Sequence, residues 1–136
     1  GEMVETVSTY LSFRALPRRR ASHAALRRAG APALDPLRCR LPAGTAYTPD
    51  RELEWVEATR WPDGARRWVP VEYAASNVGD TGPGDWLFTP ITNGMGAGDT
   101  LERALAHGLL ELVQRDGNSL SYRALDRGVA LDLDDV

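Results

Sequence analysis

Six polar side chains near the end of the sequence share one face of a predicted helix. At about 100° per residue they fall within a sector of roughly 120°, and we call them the polar stripe. Several are i,i+4 neighbours, a spacing that is typical of a ladder of salt bridges on a helix surface. If the stripe is buried instead, its charges must be paired or coordinated, which indicates a ligand site. The pattern alone leaves both interpretations open. The stripe consists of Arg103, His107, Glu111, Gln114, Arg115 and Asn118.

A pair of carboxylates lies at the start of the chain. Glu2 and Glu5 are three residues apart and would share one helix face. Such carboxylates repel each other unless a cation lies between them, and their oxygens are ligands that suit Mg²⁺. The alternative is two solvated glutamates at a helix start, where the helix dipole favours negative charge.

The polar stripe belongs to the clearest element of the sequence, a helix predicted from about Thr100 through Arg115 and towards Arg127. Asp99 is expected to be its N-cap, with Glu102 as the partner in a capping box. Leucine and valine fill most of the remaining surface of this helix, which is more than an ordinary surface helix carries. We therefore expect a largely buried helix whose polar stripe faces a cavity or a buried network.

The other elements predict an α+β fold, a mixed sheet with packed helices. Residues 53–73 alternate as in a β-hairpin around a Trp-Pro-Asp-Gly turn. Because Pro70 lacks an N–H, the return strand is expected to lie at a sheet edge or to end early. Residues 2–16 are interpreted as a short helix that runs into a strand-like stretch, Val7 to Phe13. A helix is predicted over residues 21–29, and residues 76–98 are expected to form a long loop.

Length and composition are those of an ordinary globular domain. The chain has 136 residues, 43% of them hydrophobic and 26% charged, which excludes a wholly disordered or collagen-like chain. No apolar run is long enough to predict a membrane span. A single cysteine excludes an internal disulfide framework. With no signal-peptide pattern at its start, the chain is expected to be cytoplasmic.

Charge is distributed unevenly along the chain. Residues 1–50 carry eight arginines against four carboxylates, whereas the remainder carries eight against fifteen. We interpret the basic cluster as a solvated helix face, because no aromatic residues interleave with it and no nucleic-acid-binding motif follows. No nucleic-acid partner is therefore predicted. The cluster consists of Arg18, Arg19, Arg20, Arg27 and Arg28.

Residues 92–116 closely resemble the signature stretch of the YcaO-like family. In that family a small-residue loop, SNG-x-x-AGN-T, precedes a helix that reads E-A-x-x-Q-G-L-x-E-x-x-E-R. Residues 1–5 resemble the end of the family's S-x-x-E-x-x-E-R helix, and the hairpin with its trailing residues 69–72 fits the family's layout. Residues 1–136 are accordingly predicted to form one partial YcaO-like domain, the middle part of a longer one.

The resemblance implies an activity. Family members bind ATP with Mg²⁺ in a fold without a P-loop, and they phosphorylate the oxygen of a peptide backbone amide. Attack by a neighbouring Cys, Ser or Thr side chain then gives an azoline ring. Other members use sulfide or an amine and form thioamides or amidines.

The resemblance also implies roles for individual residues. Glu2 and Glu5 match the glutamates of the first motif, and Glu111 and Arg115 match the Glu and Arg of the second. Glu2, Glu5 and Glu111 are the implied Mg²⁺ ligands, and no residue is assigned to catalysis itself. The residues implied to contact the nucleotide are Glu2, Glu5, Asp99, Arg103, His107, Glu111, Gln114 and Arg115.

The sequence departs from the family pattern at several of these positions. His107 stands where the family often has glutamine, and Asp99 stands where it has asparagine. Arg103 replaces a glutamate, and Gln114 replaces a carboxylate, which weakens the binding of a hard cation. Arg103 in turn adds a positive charge that could meet a phosphate directly.

These departures leave two hypotheses for the function. The first is an ATP-dependent peptide-modifying enzyme whose partners are a peptide substrate and a substrate-presenting accessory protein. The second is a degenerate, non-catalytic module that binds a peptide or a partner subunit. The chain on its own is expected to be inactive and to form a homo-oligomer, because a partial domain exposes surfaces that are normally covered.

Overall fold

The computed structural model describes residue 11 and residues 13–39, 41–75, 87–88 and 92–123, with side chains up to residue 119. These residues fall into two compact units, one within Met3–Thr92 and the other within Asn93–Val136. The interpretation of residues 1–136 as one partial domain stays a prediction. No helix among the described residues is both long enough and apolar enough to cross a membrane.

The first unit is built on a three-stranded antiparallel sheet. Its strands are β1 (Arg18–Ser22), β2 (Glu52–Thr59) and β3 (Arg66–Pro70), in the order β1-β2-β3. The predicted hairpin is confirmed as β2 and β3, and Gly64 takes the positive φ of +70° that its turn requires. Pro70 ends the edge strand β3, as expected from its missing N–H.

Short helical segments lie between β1 and β2 and after β3. Helix α1 (His23–Arg28) begins where the Ser22 hydroxyl accepts the Ala25 N–H at 3.1 Å. A 3-10 turn follows at Pro36–Arg38, and α2 (Val71–Ala74) directly follows β3. The described part of the second unit contains one long helix, α3 (Leu101–Arg123). The α+β prediction is confirmed, and the only parallel pairing found in the described part is the isolated bridge between Ala33 and Trp68.

The larger of the two buried clusters among the described residues lies on one face of β2. Leu53 and Trp55 are two residues apart in the strand and so point to the same face. Trp55 is fully buried there and donates its indole N–H to the Ala21 carbonyl at 2.9 Å. Leu26 of α1 packs onto them together with Leu87 and Phe88. Burial of these aromatic and branched side chains stabilises the unit.

Two predictions about the beginning of the chain need correction. The strand-like stretch Val7–Phe13 is helical at its described positions, Leu11 and Phe13, because Phe13 packs into a buried cluster with Val56 of β2. Tertiary packing there outweighs strand propensity. The remaining residues of that stretch, and the predicted start of the helix, lie outside the described part of the chain.

The arginine cluster is also not a single helix face. Only Arg27 and Arg28 lie on α1, whereas residues 18–20 lie in strand β1. Arg18 pairs with Glu54 at 3.2 Å, and Arg20 pairs with Glu52 at 3.1 Å, across the antiparallel strands. These cross-strand pairs fit a strand better than a helix because the partners lie on the adjacent strand.

Candidate functional site

In the second unit, a glycine-rich segment runs along α3. We call residues 93–98 the glycine loop. Its backbone follows the helix in the opposite direction, so that Gly94 lies beside Gly108 and Gly98 beside Ala104.

Glycine has no side chain, and this allows the loop and the helix to approach each other closely. A Cβ built on Gly96 would lie 2.0 Å from the Ala104 carbonyl oxygen, and one on Gly108 would lie 2.5 Å from the Gly94 carbonyl oxygen. Gly94 also has a φ of +83°, a backbone conformation that residues with a side chain rarely adopt. The glycines of the motif are therefore required by the packing of the loop against α3.

Two side chains of the polar stripe hold the loop by its backbone. Glu111 Oε2 accepts the Gly94 N–H at 2.8 Å, and His107 Nδ1 accepts the Ala97 N–H at 3.0 Å. Gly94 and Ala97 have no polar side chain, so the backbone N–H is the only group that each can donate. The polar stripe thus reaches across to the glycine loop and fixes it at two points three residues apart.

Glu111 has the most constrained environment of the stripe. Its second oxygen, Oε1, accepts Arg115 Nε at 3.0 Å and Nη2 at 2.8 Å, and its side chain is 19% exposed. Hydrogen bonding from Arg115 is the main cause that lowers the pKa of Glu111, and the Gly94 N–H lowers it further. The carboxylate is therefore ionised and held by three N–H donors.

The predicted salt-bridge ladder forms only in part. The Glu111–Arg115 pair is present, but Arg103 turns back to Asp99, where its Nη1 lies 2.7 Å and 3.0 Å from the two carboxylate oxygens. His107 takes a backbone N–H instead of a charged neighbour. The stripe therefore serves loop contacts as much as contacts along the helix.

The predicted N-cap is one residue off. The Thr100 hydroxyl accepts the Arg103 N–H at 3.3 Å, so Thr100 caps α3. Asp99 is instead engaged by the Arg103 guanidinium, which is a stronger partner for a carboxylate than a backbone N–H. The Asp99 N-cap is therefore wrong by one position, and with Arg103 three residues after Thr100 the shifted cap has no Glu or Gln for a capping box.

The expectation that α3 is largely buried is also wrong for the described structure. Leu109, Leu110 and Val113 are 47%, 68% and 70% exposed, while Gly108 beneath the loop is buried. The glycine loop covers only one side of the helix. An apolar helix face becomes buried only where another element packs on it, and within the second unit the glycine loop covers the side that contains Gly108.

Comparison with known proteins shows the family to which the chain belongs. A family model described as "YcaO cyclodehydratase, ATP- and Mg²⁺-binding" matches residues 1–136. The chain belongs to this family. A solved heterocyclase structure, in complex with substrate and cofactor, is similar in fold with a TM-score of 0.59 and 25% identity. No curated protein matches the sequence at a significant level.

The similar region is a small part of the heterocyclase. It covers 86% of the present chain but only 18% of the heterocyclase chain. The YcaO membership and the heterocyclase likeness support ATP-dependent cyclodehydratase-type chemistry as the activity of the family. They also confirm the resemblance that residues 92–116 carry in the sequence.

The described YcaO residues do not fit a Mg²⁺ ion by themselves. They contain no group of three His, Cys, Asp or Glu side chains that could hold a metal. Glu111 is the implied ligand among them, and both of its oxygens already accept N–H donors. Glu2 and Glu5, the other implied ligands, lie outside the described residues, so the Mg²⁺ assignment stays a prediction.

The stripe offers more to a phosphate than to a metal. Arg115 is half-exposed, and the side chain of Arg103 is 72% exposed. A guanidinium has five N–H donors, so one carboxylate partner does not use all of them. Gln114 is also exposed. These side chains could meet a nucleotide phosphate, but the assignment of the nucleotide contacts likewise stays a prediction.

Sequence reasoning missed one polar anchor in the first unit. Glu72, just after β3, accepts the N–H groups of Leu87 at 2.5 Å and Phe88 at 3.2 Å. The Val-Pro-Val-Glu segment is visible in the sequence, but no local pattern shows which backbone groups 15 residues later its carboxylate would hold.

Proposed function

We propose that this chain is part of an ATP- and Mg²⁺-dependent enzyme that activates peptide backbone amides. ATP transfers its terminal phosphoryl group to the amide oxygen, and a neighbouring Cys, Ser or Thr side chain attacks the activated carbon. Departure of phosphate then leaves an azoline ring. With sulfide or an amine as the nucleophile, the same activation would give a thioamide or an amidine.

The glycine loop on α3 carries this proposal. It is the segment with the family's signature, and in the structure it is an ordered backbone held by Glu111 and His107. Arg115 lies next to this anchor and projects a partly exposed guanidinium. Guanidinium groups pair with phosphate through parallel hydrogen bonds, which is the recognition that a triphosphate needs.

Titration calorimetry with Mg·ATP on the full protein tests the nucleotide part of the proposal. We expect Arg115→Gln to weaken binding by about tenfold, the loss of one charge-assisted hydrogen bond. Arg27→Gln, which removes an exposed arginine from α1, is the matched control and should leave binding unchanged. Failure of the unaltered protein to bind Mg·ATP would contradict the proposal.

A peptide assay tests the chemistry. The probe is a synthetic peptide that contains several Cys, Ser and Thr residues, incubated with Mg·ATP and the full protein, with a presenting partner where one is required. Azoline formation removes one water from the peptide for each ring and releases one ADP, so mass spectrometry and ADP release should agree. Hydrolysis of ATP without any change in the peptide would argue against amide activation.

A second function is favoured by the exposed apolar face of α3. Leu110 and Val113 are more than two-thirds exposed, which is unusual for contiguous large apolar side chains. A non-catalytic YcaO module that binds a peptide, a partner subunit or a second copy of itself would use such a face. Absence of Mg·ATP binding, together with self-association that Leu110→Ser reduces in sedimentation velocity, would favour this function.

A further inference from the structure

Both oxygens of the Glu111 carboxylate are engaged within the chain. Oε1 receives two N–H groups from Arg115, and Oε2 receives the backbone N–H of Gly94. A Mg²⁺ ion bound to Oε1 would share that oxygen with the Arg115 guanidinium, whose Nη2 lies 2.8 Å from it. The ion and the guanidinium are both positive and would repel each other, which disfavours the metal.

Among the described residues, the acidic group that normally supports a hard cation is also incomplete. Mg²⁺ prefers an octahedral set of oxygen ligands and uses at least one or two carboxylates. On the same helix face, the neighbour of Glu111 is Gln114, a neutral side chain, and Asp99 is paired with Arg103. No described carboxylate therefore joins Glu111 in a cluster.

We infer that Glu111 is a positioning residue, which fixes the glycine loop through Gly94 and serves the nucleotide site through that loop rather than as a direct Mg²⁺ ligand. This inference rests on the proposed function for the nature of the site. The contact itself does not depend on that function. Arg115 orients the carboxylate from the other side, so the three groups form one hydrogen-bonded chain from helix to loop.

The geometry of the loop explains why such an anchor is needed. The backbone of Gly96 approaches the Ala104 carbonyl so closely that no Cβ fits between them. Glycine also has the largest conformational freedom to lose on folding, so an ordered glycine loop requires compensating contacts. The charge-assisted bond from Glu111 to the Gly94 N–H is such a contact, and the bond from His107 to Ala97 is a second one.

The test compares Glu111→Ala with Glu111→Gln in the full protein. Glutamine keeps an oxygen that can accept the Gly94 N–H but loses the negative charge that a metal ligand supplies. Asp116→Asn, which neutralises another exposed carboxylate on α3, is the matched control. Two readouts are used for each variant: amide-resolved hydrogen exchange at Gly94 without nucleotide, and the affinity for Mg·ATP from calorimetry.

If Glu111 positions the loop, Glu111→Ala should speed exchange at Gly94 by at least about tenfold and weaken Mg·ATP binding. Glu111→Gln should change both by less than about fivefold, and Asp116→Asn should change neither. Unchanged exchange at Gly94 in Glu111→Ala would overturn the inference. So would an equal loss of affinity in both Glu111 variants while the glutamine variant keeps the loop protected.

The two readouts separate this inference from the proposed function. If the unaltered protein does not bind Mg·ATP, the proposed function fails. The exchange measurement then still decides whether Glu111 holds the loop.

Discussion

The imidazole Nδ1 of His107 accepts the backbone N–H of Ala97 at 3.0 Å. An imidazole nitrogen can accept a hydrogen bond only when it carries no proton, so in a neutral ring the proton is on Nε2. The contact therefore requires a neutral His107. It links the middle of α3 to the glycine loop ten residues earlier in the chain.

Replacing His107 should release one end of the glycine loop. We expect His107→Leu to increase the hydrogen-exchange rate of the Ala97 amide by about fivefold, since a net hydrogen bond of this kind contributes about 1 kcal/mol. His107→Asn places a carbonyl oxygen close to the position of Nδ1 and should restore much of the protection. Equal exchange rates in the leucine variant and the unaltered protein would show that this bond does not hold the loop.

Two glycines of α3 should respond in opposite ways to alanine. A Cβ on Gly108 would lie 2.5 Å from the Gly94 carbonyl oxygen, whereas a Cβ on Gly117 would meet no atom within 4 Å. Gly108→Ala should displace the loop and lower the free energy of unfolding by about 1–3 kcal/mol. Gly117→Ala should raise it by about 0.5–1 kcal/mol through helix propensity.

Urea denaturation of the two variants checks this pair, and Gly117→Ala serves as the matched control for the effect of alanine on helix propensity. Exchange at Gly94 should rise in Gly108→Ala only. If both variants are stabilised to the same extent, the loop does not lie against Gly108 as closely as the structure has it.

The sequence predicts the helices and strands of this fold better than it predicts which residues pack against them. The hairpin of β2 and β3 follows from alternation, from Gly64 at a positive φ and from Pro70, all of which act within a few residues. Long helix-forming runs likewise place α3. These signals are local, and local backbone energetics decides them.

The predictions that failed depend on contacts distant in the sequence. Leu110 is apolar by type, but its burial depends on which element packs on α3, and the periodicity does not contain that information. Leu11 and Phe13 of the predicted strand-like stretch are helical, and Phe13 packs with Val56 of β2. In the site, the residue types of the polar stripe are visible from the sequence, but the partners of Glu111 and His107 are backbone groups of the loop.

Glu72 should matter to the stability of the first unit. Its carboxylate accepts the backbone N–H groups of Leu87 and Phe88, which are 0% and 4% exposed, and removal would leave buried donors without a partner. We expect Glu72→Ala to lower the free energy of unfolding by about 1–3 kcal/mol and Glu72→Gln by less.

Glu57→Ala is the control for this prediction. Glu57 pairs with Arg66 across the exposed side of the hairpin, and such surface pairs contribute at most about 1 kcal/mol. Chemical denaturation of the three variants measures the difference. A loss in Glu57→Ala as large as that in Glu72→Ala would mean that the two N–H groups find another acceptor.

The hairpin turn carries an acid-sensitive contact. The Asp63 carboxylate accepts hydrogen bonds from Arg60 Nε at 3.0 Å and from the Ala65 N–H at 3.1 Å. The hydrogen bond from Arg60 is the larger cause, and the one from Ala65 the second, that lower the pKa of Asp63 from 3.8 to about 2. Because the pKa is lower in the folded state, the contact stabilises the protein above the unfolded pKa. That contribution is lost as the pH falls through the folded pKa.

Asp63→Asn should therefore destabilise the hairpin at neutral pH by a small amount, since both partners are solvent-exposed. The difference between the variant and the unaltered protein should be constant above about pH 5 and should shrink between about pH 4 and pH 2. Urea unfolding at several pH values measures it, with Asp116→Asn on α3 as a control outside the hairpin. A difference that does not change with pH would show that the Asp63 contact contributes through its shape and not through its charge.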